Sequence, residues 1–195
     1  MDECNKCLNE CRCPPERCDS TWIQTFTGRQ FWPLNPRAED IDIRDIAHAL
    51  SNICRFTGHT RWFYSVAQHS VIASHHCEDP MWALLHDASE AYLCDIARPL
   101  KRSPEFSAYR NAESRMMQVI AERFVLPWPE PAFIKQIDLV MLATERRDLM
   151  PHPPRPWLSI ENVKPLAQGI QPWSPARAEF EFLDRFEQLN TKAGA

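Results

Sequence analysis

Glycine is scarce: the 195-residue chain holds four, against seventeen prolines. No Gly-rich phosphate loop can be drawn from it, and a sheet-rich fold with many glycine turns is disfavoured, so the body is expected to be helical and punctuated by prolines. Long apolar runs are missing as well. The first twenty residues are polar and carry no apolar signal core, and no run is long enough to cross a membrane. A soluble, cytoplasmic protein without a membrane partner is expected, in the host cytoplasm if the gene is a phage's. Strong charge of either sign is absent too: 22 basic residues face 26 acidic ones, a net charge of −4. That balance argues against a nucleic-acid polymer as partner, and an anionic ligand would need a local basic cluster.

What is present is an apolar fraction of 44% in a chain long enough for one sizeable core. One domain with appendages is expected: a Cys-rich tail over residues 1–20 and a body over 21–195. Cys4, Cys7, Cys11, Cys13 and Cys18 crowd the tail. One reading gives Cys4, Cys7, Cys11 and Cys13 to a second, structural zinc, although four-thiolate sites usually set two Cys-x-x-Cys pairs well apart. The other reading is a tail whose cysteines hold nothing. Cys54, Cys77 and Cys94 fall in helical segments and are expected to be buried, reduced thiols.

Along the chain, alternation from Trp22 to Trp32 around Thr27-Gly28 predicts a small hairpin. Asp40 or Asp42 can cap a helix over residues 43–53, with Ile46, Ala47, Leu50 and Ile53 inward and His48 at its boundary. Arg55, His59 and Arg61 then share a short loop that suits a phosphate as well as plain solvent. A helix over residues 65–77 puts His69 on its apolar face, where a lone histidine is more often a satisfied core residue than a ligand; His75 and His76 are expected in solvent. Pro80 opens a helix to Leu93. Asp95, Arg98, Lys101 and Arg102 form a turn that could grip a hydroxyl and a phosphate. A long helix from Pro104 to about Val125 carries Phe106, Tyr109, Ala112, Met116, Met117, Ile120 and Phe124 as its apolar stripe. Another runs over residues 132–149, and a Pro-rich strap over 151–175 leads to a last helix with Phe180, Phe182, Leu183, Phe186 and Leu189 available for packing.

Two places put charge where apolar packing is expected. Trp82, Ala83 and Leu85 mark residues 80–93 as core-facing, yet His86, Asp87 and Glu90 ride on that segment, Glu90 one helical turn after His86. Asp138 lies inside the stripe of Ile134, Ile137, Met141 and Leu142, with Arg146 and Arg147 too far along the helix to pair with it. Burying carboxylates is costly unless something compensates the charge, and a shared divalent transition metal would serve both places, since imidazole and carboxylate are good ligands for one.

His69, then His86-Asp87 followed by Ala-Ser-Glu, then Asp138, each on its own predicted helix, resemble the H…HD…D signature of the HD-domain metal-dependent phosphohydrolases. Within that superfamily the chain looks like bacterial 5′-deoxynucleotidases and phage dATP or dNTP triphosphohydrolases, over roughly residues 45–150. The resemblance implies an all-α helical bundle, here with a short N-terminal β-hairpin and the Pro-rich strap. It implies that His69, His86, Asp87 and Asp138 bind one divalent metal (Co, Mn or Zn). Asp87, through that ion, and Glu90, by handling the water's proton, would be the catalytic carboxylates. Arg55 matches a phosphate-contacting arginine, Phe56 stands where relatives often carry tryptophan beside the sugar, Asp95 matches a residue that recognises the 3′-hydroxyl, and Lys101 is a candidate for the phosphates. The implied activity is hydrolysis of dATP or another dNTP to deoxynucleoside and tripolyphosphate. Homo-oligomers are common among such relatives, and the apolar strap is a candidate interface.

Three other readings stay open: a 5′-deoxynucleotidase acting on dNMPs, a non-catalytic nucleotide-sensing module with a structural metal, and a zinc-dependent interaction protein organised by the cysteine tail. Product identity separates the first; turnover separates the second; deletion of residues 1–20 separates the third.

Overall fold

A computed structural model describes residues 21–193 of the chain. The cysteine tail, including Cys4, Cys7, Cys11 and Cys13, lies outside the described residues. Among those described, the fold is all-α with one two-stranded antiparallel hairpin, as expected. Strands β1 (Ile23–Gln24) and β2 (Gln30–Phe31) pair Ile23 with Phe31 and Gln24 with Gln30. Gly28 takes φ +81° at the turn, a left-handed conformation that glycine adopts without a Cβ penalty. Thr27 donates from both its backbone N–H and its hydroxyl to the buried Asp45 carboxylate, which fixes the hairpin to the first helix.

The helices start where caps and prolines direct them. Asp42 caps α1 (Ile43–Asn52) by accepting from the Arg44 N–H, Ser65 caps α2 (Val66–His75), and Asp79 caps α3 (Pro80–Leu85) with Pro80 in its first turn. After α4 (Glu90–Leu93) and α5 (Arg98–Lys101) come the long helices α6 (Ser107–Arg123) and α7 (Ala132–Leu149), then the strap and α8 (Pro175–Ala193). Helix α2 lies at the centre and packs against α1, α3, α7 and α8. Val66, Ala67, Val71 and Ala73 of α2 join Trp82, Leu84, Leu85, Ile134, Met141 and Phe182 in one buried cluster. The strap is stapled down by α7 and α2: Leu166 N–H donates to Thr144 Oγ1, Ile170 N–H to Asp148 Oδ2, and Trp173 N–H to Gln68 Oε1. No helix among the described residues is long and apolar enough to cross a membrane.

Three expectations need correction. The helix over residues 80–93 is not continuous: α3 ends at Leu85 and α4 begins at Glu90, and across the gap the Ala88, Glu90 and Ala91 N–H groups reach three residues back instead of four. The His86 ring bonds to the Ala83 carbonyl at 2.8 Å, taking the acceptor that Asp87 N–H would use in a regular helix. Cys54, Cys77 and Cys94 are free thiols, but none is fully buried, and Cys94 is exposed because it turns out of α4 with φ +70°. Phe180 does not pack: it is 68% exposed, since Ala178 and Phe182, four apart, take the inward face of α8.

Candidate metal centre

The centre forms where α2, the α3–α4 turn and α7 meet. Residues 53–55 run alongside 64–66, with Arg55 N–H donating to Tyr64 O and Val66 N–H to Ile53 O. This pairing sets Arg55 beside the first turn of α2, where His69 points inward with no exposed surface.

The two histidines face each other through their Nε2 atoms, 3.2 Å apart. Each is held from behind at Nδ1. His69 Nδ1 lies 2.5 Å from Oε1 of Glu145, and His86 Nδ1 lies 2.8 Å from the Ala83 carbonyl. Both Nδ1 partners are acceptors, so Nδ1 carries a proton in each ring and the two Nε2 atoms are left facing one another. Asp87 Oδ2 stands 3.3 Å from His86 Nε2 and 3.7 Å from His69 Nε2. These three ligand atoms all lie within 4.8 Å of one another. Two ligand nitrogens on one divalent ion at about 2.1 Å each, at right angles, are separated by about 3 Å, so the spacing suits a shared ion. The donor set, two imidazoles and a carboxylate, suits a first-row divalent metal.

Asp138 approaches this group from α7. Its Oδ1 is 3.6 Å from His69 Nε2, while its Oδ2 accepts from Arg98 at 2.9 Å. Arg55 threads the acidic groups, 3.1 Å from Asp87, 3.3 Å from Glu145 and 3.9 Å from Asp138. Burial opposes its charge, but Glu145, Asp87 and Asp138 together override that and raise its pKa further. Burial also works against charge on His86, yet the adjacent Asp87 wins and lifts the imidazole to about 10. Asp87 is correspondingly held well below the usual carboxylate range by His86 and Arg55 against the effect of burial. In the metal-free protein the pair is therefore an imidazolium and a carboxylate, and an incoming ion must displace that proton.

Glu90 is buried beside the cluster, and burial, then the charges of Asp87 and Asp95, push its pKa well above the ordinary value. One of its oxygens lies 3.8 Å from Lys101 Nζ; the other has no hydrogen-bond partner. Lys101 itself is held by Glu113 at 2.6 Å. Asp95 is raised by burial, with Arg55 opposing. Beside the histidine pair lies a cavity of about 700 Å³, whose lining includes Arg55, Phe56, Asp87, Glu90, Asp95, Arg98, Lys101 and Asp138. That volume lies in the range of sites for small organic ligands.

The chain is 42% identical to YfdR of Escherichia coli (strain K12) over 173 residues, which is 87% of this chain and 96% of that protein. The chain belongs to the YfdR family. An alignment of that extent necessarily takes in residues 55–145, where the site residues of this YfdR relative lie. A protein of Rhodobacter capsulatus is 35% identical over 126 residues, 59% of this chain and 64% of its own length. Both relatives are described as uncharacterised, so they bring no activity with them. No family model matches the chain.

Of the residues singled out in the sequence, the structure brings His69, His86 and Asp87 together; Asp138 reaches this group only through its Oδ1, 3.6 Å from His69 Nε2, and Arg55, Phe56, Glu90, Asp95 and Lys101 line the adjoining cavity. Two charged residues escaped sequence reasoning. Glu145 is fully buried and supports His69; its signal was its position seven residues after Asp138 and four after Met141, on the inward face of α7. Arg98 was seen only as one base of a basic turn, and its partner is Asp138.

Proposed function

We propose that this YfdR-family chain is an HD-type metal-dependent hydrolase of deoxynucleotides, cleaving a dNTP such as dATP into deoxynucleoside and tripolyphosphate. The observation that carries the reading is the convergence of the two Nε2 atoms of His69 and His86 beside Asp87, each ring fixed from behind, with Asp87 lining a cavity that also presents arginine and lysine. A divalent ion, Co, Mn or Zn, would be held by His69, His86 and Asp87 with Asp138 as the fourth donor. Such an ion supplies Lewis acidity, drawing charge from a phosphate oxygen and making water more acidic.

The residues of the chain do the rest. Water attacks the α-phosphorus, the bond from that phosphorus to the 5′ oxygen breaks, and the proton of the water passes to Glu90, which returns it to the departing 5′ oxygen. Burial and the neighbouring carboxylates give Glu90 the raised proton affinity that this exchange requires. Arg55 and Lys101 counter the negative charge that builds up on the phosphates, an effect worth several kcal/mol in a preorganised site. Asp95 takes the sugar hydroxyl and Phe56 the sugar face. Arg98 and Arg102 also line the cavity, Arg98 paired with Asp138, and are further donors within reach of a phosphate chain.

The test is incubation of metal-stripped protein with each dNTP and each dNMP, with and without Co²⁺, Mn²⁺, Zn²⁺ or Mg²⁺, with products resolved by chromatography. Deoxynucleoside and tripolyphosphate from a dNTP support the reading. Inorganic phosphate from monophosphates alone moves the assignment to a 5′-deoxynucleotidase. Binding of deoxynucleotides by metal-loaded protein without consumption moves it to a sensing module.

A further inference from the structure

The wall of the cavity changes character away from the metal-ligand cluster. Asp138 is followed on α7 by Leu142, one turn on, and the cavity continues past the end of that helix to Met150. The part of the lining contributed by this helix and its end therefore includes apolar groups, Leu142 and Met150, as well as Asp138. Two aromatic rings, Phe56 and Trp157, also line the cavity, with ring centroids 6.2 Å apart and planes inclined by 39°. From the cluster outward the groups follow in order: Asp87, the Arg55 guanidinium 3.1 Å away, the Phe56 ring 5.8 Å from that guanidinium, then Trp157.

The Phe56 ring is held there at some conformational cost. Phe56 and Thr57 adopt φ +56° and +53° in succession, a left-handed pair without glycine, which is unfavourable for an aromatic and more so for a β-branched residue. The loop that carries them is tied to the end of α7 by the Arg61 N–H, which donates to Leu149 O. Trp157 comes from the strap, just before the turn Leu158–Ile160, and Ile160 is buried where that turn meets α7. Its neighbours Pro156 and Leu158 are exposed while Trp157 is half-buried against the cavity. The strap therefore turns one aromatic side chain inward at this point.

We infer that Trp157, beside the sugar-facing Phe56, forms a nucleobase slot and supplies the stacking face that determines affinity for the base. The inference rests on the deoxynucleotide reading above and adds to it the group that recognises the base. With centroids 6.2 Å apart and planes inclined by 39°, the two rings leave no parallel gap for a third, so the base stacks on Trp157, whose turn is anchored by the buried Ile160 against α7. Base–aromatic stacking tolerates any base but grows with the area of the ring system, so a purine gains more from the slot than a pyrimidine.

The test compares wild type, W157A and W157F on the dNTP that wild type consumes fastest and on the base-free 1′,2′-dideoxyribose 5′-triphosphate. W157A is expected to raise KM for the dNTP by roughly 5- to 150-fold, the span of one stacking contact, with kcat little changed. W157F is expected to recover most of that loss, and KM for the base-free compound should not respond to either change. Equal effects on both compounds, or no effect of W157A on the dNTP, would overturn the slot. Should wild type consume no deoxynucleotide, the hydrolase reading falls separately. Calorimetric binding of dATP and of the base-free triphosphate to wild type and W157A then decides the slot alone: a base-dependent loss in W157A upholds it and equal affinities overturn it.

Discussion

The Nδ1 atom of His69 and the Oε1 atom of Glu145 are 2.5 Å apart, and neither side chain has any exposed surface. A carboxylate behind a ligating imidazole fixes its tautomer and its orientation and makes the ring a stronger donor. Glu145→Gln keeps an acceptor but loses the charge, and Glu145→Ala loses both. Metal affinity measured by calorimetry is expected to fall about 10- to 100-fold for the first and further for the second. Unchanged affinity in both variants would mean that Glu145 serves only to partner Arg55.

Metal binding should depend on pH through His86. Its imidazole is raised above the ordinary value to about 10 by Asp87, against burial. The ion pair therefore stabilises the metal-free fold fully below pH 6.5, until Asp87 protonates at much lower pH, and that contribution is lost as pH rises through about 10. The same proton competes with the ion, so apparent metal affinity should climb about tenfold per pH unit between pH 7 and 9. Calorimetry in buffers of different ionisation enthalpy should count about one proton released per ion at pH 7.5. A count of zero would show that His86 is neutral before the ion arrives.

Glu90→Gln separates proton transfer from metal binding. The glutamine fills the same space but cannot accept the proton of water, so turnover is expected to drop about a hundred- to ten-thousand-fold with metal stoichiometry unchanged. Full turnover with the ion bound would remove Glu90 from the mechanism.

Asp42 tests the fold away from the site. Its carboxylate caps α1 and bonds to the Arg44 side chain, and that bond outweighs burial to hold its pKa near 2. Asp42→Ala should lower unfolding stability by about 1 kcal/mol, the usual cost of a lost cap, with the exposed Arg29 and Arg44 pairs adding little. The contribution of the charge is present above the unfolded carboxylate's pKa near 3.8 and disappears as pH falls toward 2. Urea midpoints of wild type and the alanine variant should thus converge at low pH; a difference that stays constant would assign the effect to the neutral cap.

Much of the scaffold was legible because its signals are local. Asp42, Ser65 and the Asp79-Pro80 pair start helices where caps and prolines belong, and the apolar stripe from Ile134 to Leu149 matches α7. The break at His86 was not legible, because it depends on a side chain taking the Ala83 carbonyl, a competition that periodicity does not encode. Glu145 was hidden for a related reason: followed by Arg146 and Arg147, it reads as part of a solvated face, and only the position of His69 on another helix reveals that it points inward. Trp157 stood in a stretch without period, so its direction came entirely from the anchoring of Ile160 against α7.

The most direct test of the central claim is a titration of metal-stripped protein with Co²⁺ or Mn²⁺ in which bound metal and dNTP turnover are followed together, for wild type and for His86→Ala. The account predicts one ion per chain at the histidine pair, turnover that rises in proportion to occupancy, and loss of both in the variant. Turnover that survives complete stripping, or a fully loaded wild type that leaves every deoxynucleotide intact, would contradict it.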